Sequence, residues 1–342
     1  MRLVSKSMSG VCAATCVAVL TSVAAAQSVE FTEYEPTPTV SGTVHIWGSP
    51  QMGNLLNLYE RGFSKLQPTV RFDNELKSTL TAVAGVYTGR AEIGLLGREI
   101  WPTELQAFES MKGHAPTVID IATGSYDVPK ATFALMIFVP KANPIASLST
   151  EQLDRIFASG DQPIRTWGEL GLKGDWESRP VHLYGFSVDN DKSQIFSQMV
   201  FRAGQSWRPE LREFSNGAGQ NGVDAGELIL KAVEGDPDAI GISNVHYAAP
   251  AVKALALSTP GHPTPIPPTR ENVASRTYPL TRAVYMVVNN DSVHPPSAAV
   301  VEFLRYVLSQ QGRQAVIQEG NYIPLTPEFA LKQLRQLPAQ SK

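Results

Sequence analysis

Between Thr43 and Leu96 the apolar positions alternate between the period of a strand and the period of a helix. Thr43-Val-His-Ile-Trp47 is a β-branched and aromatic run of strand type. Ser49-Pro50 follows it, an N-cap and then the residue favoured at the first helical position, and Leu55, Leu56, Tyr59 and Phe63 recur at helical spacing. Val70-Arg-Phe72 predicts a second strand. Ser78 and Thr79 open a second helix, carrying Leu80, Val83, Ala84 and Tyr87 and stopping at Gly89, and Ala91-Glu-Ile-Gly-Leu-Leu96 predicts a third strand. The order βαβαβ in so short a stretch predicts a parallel α/β sheet.

Two long apolar runs follow, 116–122 and 132–139, read as adjacent strands with no helix between them. A second α/β set is then predicted: a helix over 153–157, a strand over 181–184, helices over 194–201 and 223–233, and a strand over 239–243. Pro260, Pro263, Pro265, Pro267 and Pro268 exclude a helix or central strand over 259–269 and predict a surface excursion. Residues 278–288 are strand-like, and helices are predicted over 298–308, 310–318 and 327–334. The polar stretch 27–41, with Pro36 and Pro38, reads as an extended lead-in that is loosely held.

Composition adds class. The chain has 342 residues, 43% hydrophobic and 18% charged, which fits a soluble protein of about two domains. Its 29 basic and 32 acidic side chains, a formal net charge of −3, argue against a nucleic-acid binder or a polybasic membrane-surface protein. Arg2 and Lys6 precede an apolar stretch from Val11 to Leu20 that leads into Ala24-Ala25-Ala26, the layout of a secretory signal peptide cut after Ala26. That apolar core is far shorter than the roughly 20 residues of a membrane-spanning helix. Both cysteines, Cys12 and Cys16, fall inside it, so the exported chain would contain none. Thiol nucleophiles and Cys-ligated metals are thereby excluded, and core burial must supply the stability.

Enzymatic motifs are weak. Gly217-Ala-Gly-Gln-Asn-Gly222 matches G-x-G-x-x-G, but residues 208–216 before it read as a charged helix or loop, so a glycine-rich loop before a helix is the better reading. The six histidines never fall at metal-ligand spacing, and His45 and His182 sit in strands as structural groups. No G-x-S-x-G elbow occurs. No catalytic role, metal or cofactor is expected. What remains are helix starts that follow strands and carry small hydroxyl or amide residues: Ser49, Ser78-Thr79 and Asp189-Asn190. Unpaired N–H groups and the positive dipole end suit such starts to anions.

Several short segments, in order, resemble the periplasmic phosphate-binding proteins that deliver substrate to ABC transporters, within the type II solute-binding superfamily. They are Gly89-Arg-Ala-Glu-Ile-Gly94, Val139-Pro-Lys-Ala-Asn-Pro144 before Leu148-Ser-Thr-Glu-Gln-Leu153 and Ile156-Phe157, Trp167-Gly-Glu-Leu170, Gly219-Gln-Asn-Gly-Val223, Asp238-Ala-Ile-Gly241, Tyr278-Pro-Leu-Thr-Arg282 and Gly320-Asn-Tyr-Ile-Pro-Leu325. The resemblance runs from Gly42 to about Thr326. It implies a type II periplasmic-binding-protein fold: two α/β lobes, a strand hinge and a ligand cleft, with lobe 1 formed by 42–134 plus 283–338 and lobe 2 by 135–282.

The ligand loops depart further from the family than the scaffold does. Its G-S-S-T is Gly48-Ser49-Pro50-Gln51-Met52 here, its G-S-G is Lys77-Ser78-Thr79, and its Ser followed by Asp or Arg is Gly97-Arg98. The family's second-lobe Arg followed by Ser-Gly-Thr aligns with Phe186 and Asn190-Asp191-Lys192, so the guanidinium that would clamp an oxyanion is absent. The resemblance implies a periplasmic monomer that binds a small oxyanion, phosphate first, through Ser49, Gln51, Ser78, Thr79, Arg98, Asn190 and Lys192, and passes it to an inner-membrane ABC permease. Lys77 is a further source of charge. The alternative is a periplasmic sensor or partner-recognition module with altered anion binding.

Overall fold

Val44 and Ile46 point into a core while Thr43 is exposed, so the first apolar run forms a strand with one face covered, β1 (Gly42–Gly48). The computed structural model describes residues 30–36, 39–129, 131–217, 222–291, 293 and 295–338. The leader expected over 1–26, with Cys12 and Cys16, lies outside them. After β1 come α1 (Gly53–Leu66), which buries Leu55, Leu56, Tyr59 and Phe63, then β2 (Val70–Glu75), α2 (Leu80–Tyr87), β3 (Ile93–Leu96), α3 (Pro102–Lys112) and β4 (Thr117–Thr123). The next stretch contains β5 (Met136–Pro140), β6 (Ser147–Ser149), α4 (Thr150–Phe157), β7 (His182–Phe186), α5 (Asp191–Val200), β8 (Arg212–Phe214), α6 (Ala225–Gly235), β9 (Ala239–Ser243), β10 (Val252–Ala254), β11 (Ala256–Thr259), β12 (His262–Ile266) and α7 (Arg270–Ala274). β13 (Ala283–Val288), α8 (Ala298–Val307), α9 (Gln310–Glu319) and α10 (Pro327–Leu334) follow. The α/β class expected from the sequence is the one observed. Among the described residues no helix is long and apolar enough to cross a membrane.

The strands form two five-stranded sheets of matching design. The first has the order β2-β1-β3-β13-β4 and the second β10-β5-β9-β7-β8. In the first, β1 runs parallel to β2 and β3, and β13 is antiparallel to β3 and β4. In the second, β7 runs parallel to β8 and β9, and β5 is antiparallel to β9 and β10. Each sheet thus takes one antiparallel strand from a segment that has just crossed from the other. The two crossings touch: Gly124 N–H donates to Arg282 O (2.8 Å), Leu135 N–H to Leu280 O (3.1 Å), and the buried Asn244 side chain donates to Tyr126 O and Ala134 O. Separate apolar clusters cover the sheets. One is centred on Ile46, Phe63, Met286 and Phe303, the other on Phe138, Phe157, Leu183 and Ile240.

Several local expectations change. The runs 116–122 and 132–139, consecutive in sequence, lie in different sheets, and residues 132–135 belong to the crossing. Residues 278–282 turn before β13 begins at Ala283. Arg212–Phe214, expected in a charged helix or loop, is an edge strand beside β7, short enough for its charged residues to stay outside the core. The proline-rich excursion is the exposed edge strand β12 of a three-stranded sheet, where a missing N–H breaks no central ladder. The lead-in is anchored: Tyr34 and Val40 are buried in the first core, Tyr34 O–H donates to Glu302 (2.9 Å), and Gln67 donates to the same hydroxyl (3.0 Å).

Candidate functional site

The parallel strands β1, β2 and β3 of one sheet and β7 and β8 of the other end at one cavity of about 840 Å³. Ligands in open α/β sheets bind at this edge, where strands end and helices start. The cavity is lined from the first sheet by Ser49, Gln51, Ser78, Thr79 and Arg98 and from the second by Lys192, so it gathers these six of the seven residues singled out in the sequence. Asn190 stands beside it as the N-cap of α5, where its side chain accepts from Lys192 N–H at 3.0 Å.

The rim on the first sheet is built from hydroxyl groups and backbone. Gly48 brings β1 so close to β3 that a Cβ there would lie 2.1 Å from Leu95 O, and its φ of +157° suits glycine. Ser49 follows, buried, with its N–H donating to Leu95 O at 3.0 Å, and Pro50 starts a short 3₁₀ turn. At the start of α2, Ser78 Oγ accepts from Leu80 N–H (3.2 Å), while the Thr79 side chain makes no capping hydrogen bond. Lys77 reaches out to Glu75 at 2.7 Å in an exposed pair. Thr132, on the crossing, donates its hydroxyl to Gly97 O.

Arg98 is buried and already engaged. Glu104 holds it bidentately (2.7 and 2.8 Å), Glu99 O accepts at 2.7 Å, and its guanidinium lies 4.0 Å from the Trp101 ring centre. The same Glu104 caps α3 by accepting from Trp101 N–H at 2.9 Å. Arg98 therefore stiffens the loop after β3, and its charge is balanced on the spot.

The rim on the second sheet is charged with both signs. Lys192 Nζ lies 3.3 Å from Asp191 and over the rings of Phe133 and Phe186, at 5.3 and 5.4 Å. Phe186, aligned with the family's arginine, thus presents a ring to a cation there. Asp189, Asp191 and Asp224 also line the cavity, and Asp224 caps α6 by accepting from Gly226 N–H at 2.8 Å. Between β8 and α6, Gly217 lies against Gly222 and Val223: Gly217 N–H donates to Val223 O, and a Cβ on Gly222 would lie 2.1 Å from Gly217 O. A strand does precede this glycine motif, but the helix behind it begins at Ala225, where the Asn216 and Asp224 side chains accept from the Ala225 and Gly226 amides.

Arg282 is the residue the sequence reading did not single out. It lies at the cavity on the return crossing, its side chain is 1% exposed, and Glu99 clamps it at 2.9 and 3.1 Å, with Asp191 at 3.5 Å. Burial works against its charge, but Glu99 and Asp191 outweigh that and hold its pKa above the ordinary value. Burial likewise pushes the Asp191 carboxyl up, yet Lys192 and Arg282 more than offset it and hold it below its ordinary range. The signal was present in Tyr278-Pro-Leu-Thr-Arg282, but nothing local ties Arg282 to Glu99.

Elsewhere, among the described residues, His182, Asp236 and Asp238 bring ligand atoms within 4.8 Å of one another. His182 and Tyr184 already bond Asp236 (2.6 and 2.7 Å), and Arg179 bonds Asp238 at 2.5 Å, so both carboxylates have partners within the protein. His45 bonds Asp73 across β1 and β2 at 3.1 Å, the structural role expected for it.

A family model described as a PBP superfamily domain matches residues 34–311. The phosphate-binding protein PstS of Pseudomonas aeruginosa is 32% identical over 310 residues, 89% of this chain and 90% of that protein. Among solved structures, PstS from Borrelia burgdorferi is similar with a TM-score of 0.56 at 17% identity, covering 83% of this chain and 99% of that one. An ABC-type phosphate transport receptor from Vibrio cholerae gives 0.54 at 17% identity, covering 82% and 99%. At those identities the structural likeness speaks for the fold.

Proposed function

The chain belongs to the PBP superfamily and, at 32% identity across nine-tenths of one of them, to its phosphate-binding proteins, and from that premise we propose that it captures a small oxyanion, phosphate first, for an ABC transporter. The observation that carries this is the cavity where the strands of both sheets end, with Ser49, Ser78 and Thr79 on one side, Lys192 on the other and Arg282 on the crossing between them. In this reading the ligand accepts from the hydroxyls of Ser49, Ser78 and Thr79, and Gln51 adds an amide donor. Arg98 and Asn190 act behind the rim, the first by bracing the loop after β3 and the second by capping α5. Lobe 1 is 42–134 plus 283–338 and lobe 2 is 135–282, and the crossings at 124–135 and 278–282 form the hinge. The protein works as a periplasmic monomer after a cut at Ala26, docks on an inner-membrane permease and performs no chemistry.

The test is a calorimetric titration with phosphate, sulfate and related oxyanions. One saturable site is the expected result, and no heat with any of them at millimolar concentration would overturn the reading. A second reading, a periplasmic sensor or partner-recognition module with altered anion binding, is favoured by one observation. Both guanidiniums at the cavity are held by protein carboxylates. Capture of a membrane receptor, with phosphate uptake independent of the protein, would select it.

A further inference from the structure

Asp191 puts a carboxylate where an anion would be expected. It is the first residue of α5, and its side chain lines the cavity. One oxygen lies 3.3 Å from Lys192 Nζ and the other 3.5 Å from Arg282 Nη2. Arg282 stands on the crossing that leads into β13 of the first sheet, whereas α5 follows β7 of the second. The contact therefore ties the rim of the second sheet to the crossing, which Glu99 of the first sheet holds. With its side chain 1% exposed and Glu99 at 2.9 Å, the guanidinium is fixed, and the face it turns to Asp191 is the face it can offer to a ligand. Two cations converging on one pair of carboxylate oxygens is the donor set a tetrahedral oxyanion seeks.

We infer that Asp191 is an internal stand-in for the bound oxyanion, seated between Lys192 and Arg282, and that it sets the affinity of this chain by competing with the ligand for those cations. This rests on the oxyanion reading above and deepens it. A phosphate entering the cavity displaces the Asp191 carboxylate from these cations, and the pairing given up weakens capture. Ligand binding is thereby coupled to release of a contact between the two sheets. The nearby Asp189 and Asp224 carboxylates add to the repulsion but touch neither cation.

The test compares the full chain with its Asp191→Asn and Asp191→Ser variants, each titrated calorimetrically with inorganic phosphate and with sulfate after a cooperative thermal melt has established folding. Two variants are used so that one misfolded protein does not decide the matter, and Asp191→Glu, which keeps the charge, should behave as wild type. The uncharged variants are expected to bind phosphate about tenfold more tightly than wild type. Equal or weaker phosphate binding by folded variants overturns the inference and leaves phosphate capture standing. If sulfate alone binds, and more tightly to the variants, the inference holds while phosphate fails as the ligand. No heat with either anion from any of the proteins overturns both.

Discussion

The two rims of the cleft rest on sheets of the same design but differ in chemistry. Each sheet has four strands running one way, one antiparallel strand received from a crossing, and its own apolar cluster. The first rim offers neutral donors, with Ser49, Ser78 and Thr79 beside helix starts and its one buried cation neutralised by Glu104. The second rim offers Lys192 together with Asp189, Asp191 and Asp224, and Phe186 at the position aligned with the family's clamping arginine. The difference teaches that scaffold and site vary separately. Burial keeps the strand edges in register, and loops of a few residues beyond those edges decide what can bind.

If the scaffolds are equivalent, truncating either core should cost the same. Phe303→Ala in the first cluster and Phe157→Ala in the second, both fully buried, are each expected to lose about 4 kcal/mol in urea unfolding. A cost below about 1 kcal/mol for one of them alone would break the equivalence. Arg282→Ala removes a buried charge shared by the two rims and leaves the partly buried Glu99 unpaired, at a cost of about 3 kcal/mol by the same measurement.

Acid should act on the second rim through Asp191. Lys192 and Arg282 hold its carboxyl below the ordinary 3.8, so its pairing supports the fold above that pH and is lost as pH falls through the lower value of the folded chain. Asp191→Asn should therefore flatten the acid limb of a stability profile below about pH 4, and an unchanged limb would place the acid sensitivity elsewhere. On the first rim, Ser78→Ala and Thr79→Ala are each expected to weaken phosphate binding about fivefold, near 1 kcal/mol, whereas Asp189→Asn on the second should not weaken it. The smallest effect is for Lys77→Ala, whose exposed pair with Glu75 should change the melting free energy by less than about 0.5 kcal/mol.

Much of the scaffold could be read along the chain because its elements announce themselves locally. Val44 and Ile46 alternate, Leu55, Tyr59 and Phe63 share a helix face, and Ser49-Pro50 marks the boundary. The elements that escaped are those whose reasons are not local. α3 buries only Phe108 and so carries no apolar stripe, and its start is organised by Glu104, which serves Arg98 as well. β8 has three residues, two of them charged, and is a strand only because β7 lies beside it. Tyr34 is anchored by Glu302 from the far end of the chain. The site follows the same rule. Its hydroxyls at helix starts were legible, but the neutralisation of Arg98, the pairing of Arg282 with Glu99 and its reach to Asp191 depend on folds of the chain that bring distant residues together.

The central claim is that the first rim supplies donors to an oxyanion held between the two sheets. A crystal structure of the protein grown with phosphate tests it most directly. The account expects a phosphate within hydrogen-bond distance of Ser49, Ser78 or Thr79 and of Lys192 or Arg282, with Asp191 moved off the cations. A phosphate bound away from these residues, or a cleft whose Asp191 and Arg282 stay paired at saturating phosphate, would contradict it.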